Sequence, residues 1–288
     1  MSVPFPATTA ASAPATANPD LHAAARACLE AADTEQKLAL AAAMAADHAQ
    51  GRLRRANETA AADGPALRVG RPARPNLVAP RALAARGLGS VAGRAAFVHA
   101  IAHIEFNAIN LACDAVWRFR DLPDAFYADW VGVAADEARH FYLLQQRLRE
   151  LGHDYGDFDA HDGLWDMAER TAHSCLARMA LVPRVLEARG LDVTPAMIER
   201  LRAVGDPTTA SILELILREE IAHVAAGTRW FHWCCEREGM APRATFIGLL
   251  RAHAGNALRR PFNHEARHAA GFDEDEMAEI EAMAERAA

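Results

Sequence analysis

Lysine is almost absent: Lys37 is the only one in 288 residues, so nearly all of the 31 basic side chains are arginine. With the abundance of alanine, this reads as genome composition bias rather than as a functional signal. Aromatic residues reach only 7%, and the five cysteines (Cys28, Cys113, Cys175, Cys234, Cys235) include no Cys-x-x-Cys pair. That excludes a zinc ribbon and leaves no disulfide framework to propose. No uninterrupted apolar run approaches the roughly 18 residues of a membrane span, so none is expected. Met1 to Ala17 lack the positive start and apolar block of a secretory signal, and a cytoplasmic protein is expected. Net positive charge is missing too. At −7 the chain does not suit a general binder of nucleic acid or of anionic membranes.

Period-two alternation is also lacking, so strands are not expected. What is present is helical periodicity, in four long segments at about 93–120, 124–151, 164–189 and 207–237. Breaks fall at Asp121-Leu122-Pro123, over 152–163 and over 190–195; a short helix at about 196–204 precedes Gly205-Asp206-Pro207. The fold class predicted is all-α, a four-helix bundle over 93–240. A Pro- and Ala-rich disordered leader is expected over 1–18, a helical and extended cover over 19–92, and a helical extension over 241–288. Asp33-Thr34 suits an N-cap between two N-terminal helices. The stretch 64–94 carries Arg68, Arg71, Arg74, Arg81, Arg86 and Arg94 and no acid. The plain reading is a cover whose arginines pair with acidic helix faces; the alternative is a site for a phosphate-bearing ligand.

Polar residues interrupt each apolar stripe at a similar depth. The second segment reads Phe126, Trp130, Val133, Glu137, His140, Phe141, Leu144, and the fourth Ile212, Leu213, Ile216, Glu220, His223, Gly227, Trp230. Glu105 stands in the first stripe and Glu187 in the third. Burying an ionised carboxylate costs several kcal/mol unless a compensating charge is found, and few Lys or Arg occupy matching positions. A bound cation meets that need. Glu137-Ala-Arg-His140 and Glu220-Ile-Ala-His223 are both Glu-x-x-His, a carboxylate and an imidazole on one helix face. Glu105 precedes Glu137 by 32 residues and Glu187 precedes Glu220 by 33. Around the Asp121–Pro123 turn, about 16 residues up one helix and down the next, roughly 24 Å each way, returns to one level. The second pair requires a kinked or broken helix, because 190–195 interrupts its route.

With 20 Glu and 13 His in the chain, about one Glu-x-x-His arises by chance, and a third does occur at Glu265 and His268. It lacks an acid 32 or 33 residues upstream and lies in a Pro-marked stretch, so it is set aside. The duplicated set is harder to obtain by chance. Four carboxylates and two imidazoles in a helical core form the di-iron or di-manganese carboxylate pattern. Glu137 and Glu220 are assigned as bridges, Glu105 and Glu187 as terminal ligands, and His140 and His223 to one metal each. Asp136, Glu219, His99, His103 and His173 are read as packing, surface or neighbouring groups, and Tyr127 and Tyr142 as candidate redox neighbours.

This set resembles the ferritin-like superfamily. The stretches 93–105, 155–165 and 184–195 are similar to one bacterial family of uncharacterised ferritin-like-domain proteins, the likeness covering roughly 65–270. The resemblance implies two Fe, with Mn as the alternative, and an oxidoreductase that activates O₂ or peroxide on an unidentified small-molecule substrate with an unidentified electron donor. The alternatives are a non-enzymatic iron-binding or ferroxidase-type protein, and a tRNA-modifying hydroxylase, which the acidic net charge disfavours. No membrane partner is expected, and a homodimer is compatible. The N-terminal extension and the interrupted third helix depart from storage ferritins.

Overall fold

The computed structural model describes residues 19–55, 67–84, 86–253 and 258–287, so the leader expected over 1–18 lies outside the described residues. Among the described residues the chain is all-helical, with two isolated bridges and no strand. It divides into two compact units, residues 1–78 with 99–160 and residues 79–98 with 161–288.

The first unit holds α1 (Leu21–Glu30), α2 (Thr34–Ala49), most of α3 (Val91–Arg118) and α4 (Asp124–Glu150). Asp20 caps α1 by accepting from the His22 and Ala23 amides, and Asp33 caps α2 by accepting from Gln36, as its position in the sequence predicts. The single lysine is fully buried. Its Nζ donates to Cys28 O (2.7 Å), Leu29 O (3.1 Å) and Asn110 Oδ1 (2.7 Å). All three ammonium protons are therefore spent, two of them on last-turn carbonyls of α1 that the helix leaves without an internal partner. The same contacts tie α1, α2 and α3 together. His22 adds a bond from Nδ1 to Val116 O at 2.8 Å. The α3–α4 turn is held by Tyr127, whose hydroxyl donates to Phe119 O (2.9 Å) and Arg120 O. Tyr127 thus has a structural task rather than the redox one considered from the sequence.

The second unit comprises α5 (Gly163–Arg170), α6 (Cys175–Leu181), a π-helical segment Val182–Glu187, α7 (Ala188–Ala203), α8 (Pro207–Glu238), α9 (Pro242–His253), α10 (His264–Ala269) and α11 (Glu274–Ala287). Two expectations are corrected here. The third segment is not one helix over 164–189: it breaks at 171–174, where Ser174 accepts from the Ala177 amide and starts α6. The break expected over 190–195 does not occur, and α7 runs through Gly190 and Pro195. Pro195 lacks the N–H that would bond Leu191 O four residues back. Asn263 Nδ2 donates to that carbonyl instead, at 3.1 Å, so the helix continues without an orphaned acceptor.

α7 and α8 form an antiparallel hairpin about Gly205, whose φ of 76° is the left-handed turn a glycine admits. Pro183 lies 22 residues before Gly205 and Gly227 lies 22 after it. The two touch so closely that a Cβ on Gly227 would come 2.3 Å from Pro183 Cβ and Cγ. The π segment therefore lies in register against α8. One described helix, α3, is long and apolar enough to cross a membrane by length and composition, and 72% of that stretch is buried within the protein.

Candidate metal centre

In the first unit, α3 presents Glu105 and α4 presents Glu137 and His140. Glu105 stands 16 residues before Asp121 and Glu137 stands 16 after it, so the hairpin returns them to one level. They are 5%, 1% and 0% exposed respectively. His140 Nδ1 lies 3.2 Å from Glu105 Oε2 and 3.3 Å from Glu137 Oε2. One ligand atom from each of the three falls within 4.8 Å of the others. Burial, and then the neighbouring charge of Glu137, push the Glu105 carboxyl up to about 8. Two carboxylates thus share one ring nitrogen in a water-poor core, and a single imidazole N–H cannot neutralise both. A cation fits that donor set of two hard oxygens and a borderline nitrogen. The metal-facing atom of His140 would be Nδ1.

A second layer packs behind these groups, and it was not read from the sequence. Asn107 Nδ2 donates to His103 Nε2 (3.0 Å), which leaves the His103 Nδ1 proton for Tyr155 Oη at 2.8 Å. The Tyr155 ring stacks on His99 and packs against Phe106 and Phe141, the chain neighbours of Glu105 and His140. His99 Nε2 accepts from the Gly156 amide at 2.9 Å, and burial lowers the ring's pKa to about 4, so it is neutral there. His99 and His103 are packing residues, as the helical wheel implies. Tyr155 lies outside the periodic segments, which is why a reading of helix faces passes over it.

In the second unit, α8 presents Glu220 and His223 with the same internal geometry, His223 Nδ1 standing 3.1 Å from Glu220 Oε1. His223 is 3% exposed and Glu220 is less deeply set. Glu187 closes the π segment, 18 residues before Gly205, and His223 lies 18 after it. The neighbouring contact of Pro183 with Gly227 bears out that register, so Glu187 and His223 share a level in the hairpin. The third Glu-x-x-His is different: His268 spends Nδ1 on Phe272 O (2.9 Å) and faces Glu274 rather than Glu265. In the arginine run, Arg94 pairs with Asp206 at 3.5 Å, in line with arginines that pair with acids at helix ends.

A family model described as a protein of unknown function, DUF455, matches residues 30–278. The chain belongs to this family. It is also 46% identical over 213 residues to an uncharacterised protein of Haemophilus influenzae, a span of 72% of this chain and 74% of the relative. No solved structure matches the chain. The region shared with DUF455 contains Glu105, Glu137, His140, Glu187, Glu220 and His223.

Proposed function

We propose that this DUF455 chain is a ferritin-like dinuclear metal protein, and that it works as a non-haem di-iron oxidoreductase acting with O₂ or peroxide on a small-molecule substrate. One observation carries the reading: Glu105, Glu137 and His140 are buried together with a carboxyl group held far from its ordinary range. The repeat of the Glu-x-x-His geometry at Glu220 and His223 supports a second metal.

In this reading Glu137 and Glu220 bridge the ions, Glu105 and Glu187 each bind one, and His140 and His223 contribute Nδ1. A bound iron pair supplies the electrons for reducing O₂ by two. The chain's part is to hold four carboxylates that can change between bridging and terminal binding as the metal charge changes. The apolar helices exclude bulk water, which restrains side reactions at a reactive metal. The layer of Asn107, His103 and Tyr155 fixes the α3 face beside Glu105.

Metal analysis of protein purified without chelator tests the reading. About two metals per chain, with a rise in melting temperature on adding Fe²⁺ to the metal-free protein, is the expected result. No bound metal and an unchanged melting temperature would remove it. Iron oxidation without consumption of any organic co-substrate would move the assignment from oxygenase to ferroxidase-type iron handling.

A further inference from the structure

Three residues before Glu187, the π segment places an arginine where none is expected. Arg184 is 1% exposed, on a turn otherwise made of Val182, Pro183, Val185 and Leu186. Its Nη2 donates to Glu276 Oε2 at 2.8 Å. Its guanidinium carbon lies 4.0 Å from the ring centroid of Phe246, 4.6 Å from that of Phe272 and 4.8 Å from that of Phe231. Those groups come from α9, from the residues just before α11, from α8, and from α11 itself for Glu276. A charge sealed among rings and paired once is expensive to hold and strongly directional. It does not cap α6, as Arg178 caps α5 by donating to Ala168 O. It anchors one turn of backbone to the C-terminal helices.

That turn needs an anchor. A π-helical turn carries one residue more than an α-turn and rarely forms without tertiary support. Here Pro183 is pressed against Gly227 on one side and Arg184 is gripped on the other. We infer that Arg184, clamped by Glu276 and the rings of Phe231, Phe246 and Phe272, is a positioning residue that sets the Glu187 carboxylate for metal binding. The C-terminal helices thereby control occupancy of one metal of the pair. The inference rests on the dinuclear reading above.

The experiment compares three proteins that have never been exposed to chelator, plus their Co²⁺-substituted forms. The clamp is removed as a pair, in Arg184→Met/Glu276→Leu, so that no lone charge stays buried. The control removes the other buried pair of this unit, Arg267 with Asp192 (2.7 Å), as Arg267→Met/Asp192→Asn. Wild type should bind two metals per chain. The clamp variant should keep one at wild-type affinity, bind the second at least tenfold more weakly, and show an altered Co²⁺ absorption spectrum. The control should melt lower yet keep both metals and the wild-type spectrum. Should the clamp variant fail to fold, Phe246→Leu, which opens one side of the cage, should weaken the second metal several-fold. Two metals at wild-type affinity with an unchanged spectrum in a folded clamp variant, or in Phe246→Leu, would overturn the inference alone. Loss of metal in the control to the same degree would also overturn it, because any destabilisation would then suffice. A wild-type protein without metal would bring down the dinuclear reading, and the inference with it.

Discussion

The two units carry the same ligand spacing on different supports. In the first, Glu105, Glu137 and His140 stand on two regular helices joined by a short turn, and all three are buried. In the second, Glu220 and His223 stand on a regular helix, but Glu187 ends a π segment held by Pro183 and Arg184. A hairpin of plain α-helices fixes its register through backbone bonds alone. A π turn fixes nothing by itself, so its position depends on distant side chains. The first half of the candidate site is therefore set by local structure, and the second by packing that arrives from the end of the chain.

The largest expected contrast comes from removing one carboxylate in each half. Glu137→Gln and Glu220→Gln should both leave fewer than one metal per chain by elemental analysis. In metal-free protein they should differ: Glu137→Gln relieves a buried like-charge contact and should raise the melting temperature by roughly 5 °C. Glu220→Gln, at a more exposed site, should leave it nearly unchanged. Equal responses would erase the distinction between the halves.

Next in size is a pH effect confined to the first half. The Glu105 carboxyl has its folded pKa raised to about 8, through burial and the Glu137 charge, with His140 opposing. Its contribution to stability is fully present below the unfolded value near 4.5 and is lost as pH rises through about 8. Denaturant unfolding of the metal-free protein should thus show stability falling by a few kcal/mol between pH 5 and 9, a fall that Glu105→Gln removes. His99 acts at the acid end with the opposite sign, because its pKa is lowered to about 4 and its contribution fades as pH drops below 6.5. A flat profile above pH 5 in wild type would contradict the charge assignment.

Smaller still is Gly227→Ala. The added methyl would meet Pro183 at 2.3 Å, so the π segment must shift, at a cost of about 2 kcal/mol by thermal unfolding. The second metal should weaken while the first holds. Smallest is Asp33→Ala in the first unit, which removes the α2 cap and should cost about 1 kcal/mol with both metals retained. Metal loss in that variant would mean that occupancy follows overall stability rather than local support.

The parts legible in the sequence are those governed by period and turn chemistry. Asp121-Leu122-Pro123 marks the α3–α4 turn because proline cannot continue α3, and the Glu105–Glu137 level follows by counting. The α7 region was not legible, because whether Pro195 breaks a helix depends on a partner for Leu191 O, and Asn263 comes from 72 residues away. Nor does Val-Pro-Arg-Val-Leu-Glu announce a π turn; Gly227 and the Arg184 cage decide it. Lys37 shows the same limit. Its rarity reflects composition, while its burial reflects three acceptors brought together from α1 and α3.

That burial gives the protein a built-in gauge. An amine-directed reagent has one side-chain target in the whole chain, and the closed fold conceals it completely. Acylation of Lys37 can proceed only when α1 and α2 come away from α3, so its rate in native buffer counts those openings without any label having been engineered in.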